Sequence, residues 1–426
     1  MFVAATKRAI AHPSTLLLAS TAATTVLGIV SASVQARVLG PSGRGVLATA
    51  MVPGTLVAML LCFGLPDFVS RKAAQGENLG TLSKFSLWAS LAIGSIAFVP
   101  YALLCGFQAP VGTSAWWLLI AYACTLPLYV YGYCLAWLTG GSGHWRSVSA
   151  VRLAPSVLSV IAILVLAIAF PPATPLGVGL ILIGLTACCP LLYLFHKPAV
   201  PRGRVEWTMF RHAASFGARG WPAGTIALVN QRIDLLMMTM MAAHVELGYY
   251  AVATTLAAVL NAVANAIAMP ARNRVARGDH SLVPAITAAT ILAVLVLAIA
   301  VSALLPLLVQ VLLGPKFLPA VPVMTLLLLM QVPLAGVVVL TQSLIAAGHP
   351  GAPLGGEVVA LVTTVILILI FFPTYGLAAA AVGTGIGNAL SFAVLLILAR
   401  RHLGSAPIWR YIFVSPRELY GLVRHA

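Results

Sequence analysis

The sequence predicts an all-α integral membrane protein with about twelve transmembrane helices, arranged as two six-helix bundles related by a pseudo-two-fold axis along the membrane normal. Three observations lead there. Only 8% of the 426 residues are charged while 61% are apolar, and the mean hydropathy is +1.04. An average soluble domain is roughly 25% charged. So few charges cannot cover a globule in water, whereas in a bilayer lipid replaces water over most of the surface. Second, long apolar runs recur down the chain, separated by short basic gaps. Third, the second half retraces the first at an offset of 203 residues.

A helix needs about 20 apolar residues to span ~30 Å of hydrocarbon. Such runs fall at 15–37, 46–68, 82–106, 115–138, 149–170 and 176–196, then at 213–241, 247–270, 283–313, 320–347, 355–373 and 376–400. They divide into an N-terminal bundle, residues 1–200, and a C-terminal bundle, residues 201–426, ending in a short basic tail. The run from Thr15 continues past Val30 without a small-residue cleavage site, so it reads as a first span rather than a removable signal.

Lys and Arg set the orientation. One set of alternate gaps holds nineteen of them: Lys7 and Arg8, the Arg71 to Lys84 gap, Arg146 and Arg152, the central linker, Arg272 to Arg277, and the C-terminal tail. The opposite set holds three, Arg37, Arg44 and Lys316. That imbalance puts both termini and the linker in the cytoplasm. Because each half has six spans, the second enters the membrane as the first does. Shifting by 203 places Gly45-Val-Leu-Ala48 on Gly248-Tyr-Tyr-Ala251. Parallel repeats of this kind place a site between the halves.

The formal net charge of +16 lies in topological gaps, with no basic run interleaved with aromatics, so nucleic acid is not an expected partner. The six cysteines lie in or beside apolar runs without CxxC spacing, where thiols behave as small hydrophobes. All nine histidines fall in or beside polar gaps, which removes the usual general bases of an intramembrane enzyme. No GxxxxGK[ST] loop, HExxH pair or serine-histidine-acid arrangement is present.

Function is therefore sought in polar residues kept within the spans. A charge at the bilayer centre costs roughly 2.5–3.5 kcal/mol on insertion scales and usually faces a cavity or a partner. The seventh span carries Asn230-Gln-Arg-Ile-Asp234. On one continuous helix Arg232 and Asp234 diverge by about 200°, while Asn230, Gln231 and Asp234 share a face. Arg232 is then a cationic contact for an anionic substrate and Asp234 a coupling or gating carboxylate; the alternative is pairing with a neighbouring helix or snorkelling to the surface. Arg219, nearer the helix start, reads as an interface anchor or a cavity residue. Tyr250, Thr254, Asn261 and Asn265 form a polar stripe roughly 22 Å long. Thr21, Thr24, Ser31 and Gln35 form another around Gly28. Such stripes line wet pathways or bond helices together. In the fourth span Tyr122, Tyr129, Tyr133 and Trp137 repeat at helical spacing, as packing, an interfacial belt or a sugar contact. Prolines within spans, among them Pro53, Pro127, Pro222, Pro270, Pro306 and Pro333, suit helices that bend.

The loop Ala36-Arg37-Val-Leu-Gly-Pro41-Ser-Gly-Arg-Gly45, the Phe63-Gly-Leu-Pro66 helix end and Arg71-Lys72 resemble those of Wzx-like polysaccharide flippases. These belong to the multidrug/oligosaccharidyl-lipid/polysaccharide exporter superfamily. Arg232-Ile-Asp-Leu-Leu followed by Leu247-Gly-Tyr-Tyr-Ala-Val-Ala253 looks like that family's passage from seventh to eighth helix, and Leu344-Ile-Ala-Ala-Gly-His349 like the end of its tenth. The resemblance implies a flippase in the bacterial inner membrane, working by alternating access. It would carry an undecaprenyl-pyrophosphate-linked oligosaccharide, such as an O-antigen unit, or a polysaccharide to the outer leaflet, alongside other polysaccharide-assembly proteins. Arg232, and with it Arg37 and Arg219, would hold its anionic groups. No cofactor is implied, and coupling to Na⁺, H⁺ or the membrane potential stays open. Lipid II flippases typically carry an Arg-Asp pair after the Val-Leu-Gly of the first helix, and their relatives tend to have 14 helices. Here Val26-Leu-Gly28 is followed by Ile29-Val-Ser-Ala-Ser33, which puts lipid II export second. A drug/cation antiporter would want more intramembrane acids than Asp234. A membrane polymerase would want a large outer loop, and an acyltransferase an embedded histidine.

Overall fold

The computed structural model describes residues 13–195, 200–276, 278–349, 351–404 and 406–413; the side chains of 13–19, 219–224 and 269–276, Arg272 and Val275 apart, are outside the description. Lys7, Arg8, Lys197, Arg277, Arg417 and Arg424, and the side chains of Arg219, Pro222, Pro270 and Arg274, thus lie outside the described residues. Regular structure among the described residues is entirely helical. Two compact units form, Met1–Thr225 and Ile226–Ala426, and the division falls inside a helix.

The first unit begins with α1 (Pro13–Leu61), a 49-residue helix broken at Gly40. Gly40 takes φ 67 and ψ −178, open to a residue without Cβ. Pro41 explains the place of the break: it has no N–H and disfavours helical backbone in the residue before it. A turn through Phe63 and Gly64 leads to α2 (Leu65–Ala74). Asn78 caps α3 (Leu79–Gln108) by accepting hydrogen bonds from the amides of Gly80 and Thr81. Thr113 caps α4 (Ser114–Gly141) from the Trp116 amide, as Thr174 caps α6 (Pro175–Cys188) from that of Gly177. Between them runs α5 (Trp145–Ala169), and a 3-10 turn (Cys189–Phe195) ends this run. The core is built around α4, whose Leu118, Leu119, Leu126 and Leu135 are fully buried. By contrast α5 leaves Ile161, Val165 and Ile168 exposed. A face of that kind is untenable in water and ordinary against lipid.

Helix α7 (Trp207–Asn230) contributes its first part to this unit, where Phe210 meets Phe85 and Phe216 meets Phe68. The second unit continues with α8 (Ile233–Met241), α9 (His244–Ala276), α10 (Val283–Leu312), α11 (Val321–Met330), α12 (Val332–Ala346), α13 (Pro353–Tyr375) and α14 (Leu377–His402). Gly383 and Gly387, one turn apart on α14, let α13 approach: a Cβ on Gly387 would meet the Ala360 carbonyl at 2.9 Å. Small residues four apart are the usual device where no hydrophobic force drives helices together in lipid.

Ten described segments are long and apolar enough to cross a membrane, against the twelve expected. The layout differs from the expectation in each half. Ser20–Leu61 counts as one 42-residue segment although Gly40 divides it. The expected span 213–241 is interrupted at Gln231 and Arg232, which leaves it as α7 and the nine-residue α8. Pro333 starts a new helix instead of bending one, so 320–347 is also two pieces. Gly40, moved by the repeat offset of 203, falls on Ala243, between the end of α8 and the start of α9.

Candidate functional site

The polar residues singled out in the seventh span sit at a helix interruption. Val229 and Ala227 carbonyls accept from the Arg232 and Gln231 amides, closing a turn, and Arg232 (φ −133, ψ −1) starts α8. The continuous-helix argument therefore fails, and the shared face of Asn230, Gln231 and Asp234 does not form. Asn230 donates to Glu357 Oε2 on α13 at 2.7 Å. Gln231 is exposed. Asp234 is buried, accepting from the Tyr250 hydroxyl on α9 and from the Leu235 amide, both at 2.7 Å. Arg232 is exposed, and its guanidinium makes no hydrogen bond or ion pair with a described residue. Those partners account for both polar side chains: Asp234 ties α8 to α9, and Asn230 ties α7 to α13.

The stripe on α9 is likewise divided. Tyr250 is fully buried on Asp234, and the Thr254 hydroxyl donates to the Ala251 carbonyl of its own helix. Asn265 donates to Asn261 through Oδ1 at 2.8 Å and through the carbonyl at 2.9 Å, leaving Asn265 exposed.

In the first unit the α1 stripe faces α5. Ser31 meets Ser159 at 3.3 Å, and Arg152 reaches Thr21 at 3.4 Å. Gln35 is buried, donates to Ser31 at 2.9 Å and accepts from Arg44 Nη1. Arg44, read from sequence as a gap residue, is helical and half-buried beyond the Gly40 break. Its chain of partners occupies Gln35 with fold contacts. Arg37, three residues before the break, is exposed. The Arg219 side chain lies outside the described residues.

Three polar residues escaped sequence reasoning. Glu357 is the sole acid in its apolar run, two positions from the run's edge. Arg44 and Arg152 were absorbed into the topological count, where each reads as a loop charge. No group of three or more His, Cys, Asp or Glu among the described residues could hold a metal ion.

An all-helical chain with interrupted, lipid-faced helices is a polytopic membrane protein, and its fold is that of known transporters. A lipid II flippase MurJ in an inward-closed conformation superposes with a TM-score of 0.73, at 13% identity, covering 96% of this chain and 92% of that one. An inward-facing multidrug resistance MATE family transporter gives 0.69 at 15% identity over 89% and 94%. The MATE multidrug transporter DinF-BH gives 0.62 at 14% over 94% and 96%. No curated protein sequence matches the chain. The sequence profile of the polysaccharide biosynthesis protein family matches residues 34–322. The chain belongs to that family.

Proposed function

We propose that this protein is a flippase that carries a lipid-linked oligosaccharide, or a polysaccharide, across the bacterial plasma membrane by alternating access, with both termini cytoplasmic. The observation that carries the reading is the polysaccharide-family match over residues 34–322, which includes both Gly40 and the Gln231–Arg232 interruption. The MurJ-like and MATE-like fold supports a transporter rather than an enzyme. Exposed Arg37 and Arg232 stand beside the two interruptions. A guanidinium presents a planar fork of donors suited to phosphate and carboxylate, so these two arginines are the groups we assign to the pyrophosphate or acidic sugars of the cargo. Asp234 and Glu357 are the carboxylates available to couple transport to an ion.

The test is Arg232→Ala in a host whose surface polysaccharide depends on this gene. Surface polysaccharide is lost while the amount of protein in the membrane is unchanged. Normal polysaccharide in that strain would overturn the assignment.

A further inference from the structure

The aromatic stripe of α4 lines a cavity that neither the fold nor the arginine assignment uses. Tyr129, Tyr133 and Trp137 recur every four residues along one side of α4, and the lining also includes Trp145 of α5 and Tyr193 of the 3-10 turn after α6. The cavity is partly open and its volume is about 580 Å³, within the roughly 300–1,000 Å³ of small-molecule sites. Every wall belongs to the first unit, at the end marked by the Gly141–His144 turn.

Two glycines of α4 shape it. A Cβ on Gly132 would meet Pro190 at 2.6 Å, and one on Gly140 would meet the Trp145 ring at 3.4 Å. The neighbouring elements thus close on α4 at both positions, while the space beside Ala136 between them stays open. The rings are not stacked shut on one another: Tyr133 and Trp137 lie edge to face at 6.3 Å between centroids, and Trp137 is 41% exposed. Arg152 of α5 reaches the same cavity. Among the described residues its guanidinium makes one long hydrogen bond, 3.4 Å to Thr21, so most of its five donors have no partner among them.

We infer that this cavity binds a pyranose bearing a carboxylate or phosphate, with the sugar ring lying against Tyr133 and Trp137 and the acidic group on Arg152. An aromatic face is the negative side of the ring quadrupole and attracts the weakly positive C–H face of a pyranose. Arg152 adds a bidentate contact of the kind carboxylate and phosphate prefer. Acyl chains need neither the tyrosine hydroxyls nor the guanidinium. The inference rests on the saccharide cargo proposed above and adds to it a sugar contact within a single unit.

Equilibrium dialysis of the full-length protein in detergent tests it, with a labelled hexuronate tetrasaccharide, a neutral hexose tetrasaccharide and a hexose 1-phosphate as probes. The two acidic probes distinguish a uronate from a glycosyl phosphate as the group on Arg152. At least one acidic probe binds saturably, Arg152→Gln weakens it at least tenfold, and Tyr133→Ala weakens acidic and neutral probes alike. Arg152 is exposed, so its replacement leaves the fold intact and keeps the test informative if Tyr133→Ala proves unstable. Equal binding by wild type and Arg152→Gln, or no saturable binding by either acidic probe, overturns the inference. Competition by phosphatidylglycerol but not by the neutral tetrasaccharide also overturns it, in favour of a lipid site. Arg232→Ala keeps the failures separate: surface polysaccharide persisting in that strain sinks the transport assignment, while acidic-probe binding by the same variant reports on the cavity alone.

Discussion

Replacing Tyr250 with Phe removes one of the two hydrogen bonds held by the Asp234 carboxylate and changes nothing else in shape. Side-chain hydrogen bonds between membrane helices average about 0.6 kcal/mol and reach about 1.7, whereas bonds to charged groups are worth about 1.5–3 kcal/mol. Here donor and acceptor are both buried, the separation is 2.7 Å, and the acceptor is a carboxylate. The overlap of the two ranges, about 1.5 kcal/mol, is therefore the expected loss. The second unit runs over residues 226–426, and for a body of that size 1 kcal/mol moves the melting midpoint by roughly 2–4 °C. Tyr250→Phe should melt about 3–6 °C lower in detergent, read by loss of the monodisperse peak in size-exclusion chromatography after heating. A cycle with Asp234→Ala isolates the pair, because residues in one network do not add. A shift below about 1 °C, or additive losses in the double variant, would refute the view that this bond fixes α8 on α9.

Three further outcomes follow from the geometry. Gly64 has φ +70 with the Gly217 Cα 3.1 Å from where a Cβ would stand, whereas Gly76 has φ +86 and open space. Left-handed backbone costs an L-residue about 1–2 kcal/mol at either site, so Gly64→Ala should melt lower than Gly76→Ala, and equal midpoints would deny the close approach. Glu357→Gln keeps an acceptor for Asn230 and should retain stability, while Glu357→Ala strands a half-buried amide at a cost of about 1–3 kcal/mol; thermal melts of the two variants in detergent decide it. Orientation is read by thiol labelling in a background without exposed Cys124 and Cys188. A cysteine at Val111 should react with an impermeant reagent from outside and one at Arg204 should not, and the reverse would overturn the charge-based topology.

The fold class was legible because hydropathy and basic gaps are averages over many residues, which no single contact can reverse. The first interruption was legible as well, since Gly40-Pro41 is the strongest local punctuation a helix can meet. The second was not. Asn230-Gln231-Arg232 holds neither glycine nor proline, and each residue is tolerated in a helix; what interrupts it is tertiary, with Asn230 drawn to Glu357 and Asp234 to Tyr250. Sequence spacing likewise found the α4 aromatics but not their counterparts, because Arg152 and Tyr193 arrive from other helices. For Gln35 too the partners were hidden in the sequence: Ser31 and Arg44 both bond to it in the fold.

The interruption at Gln231–Arg232 sets a condition on solvation. The first amides of any helix lack intrahelical acceptors, and hydrocarbon offers none. The Arg232 side chain caps none of them, the Asp234 carboxylate accepts from the Leu235 amide, and Gln231 and Arg232 are both exposed. Such backbone persists at membrane depth where protein buries it or where it lines a water-filled cavity, and the exposure of Gln231 and Arg232 favours the second. In deuterated buffer, the amide of Ile233 should therefore exchange faster than that of Leu235, which Asp234 holds, and those in the middle of α4 should remain protected. Fast exchange there would mark a point that the aqueous medium reaches, readable with no ligand bound.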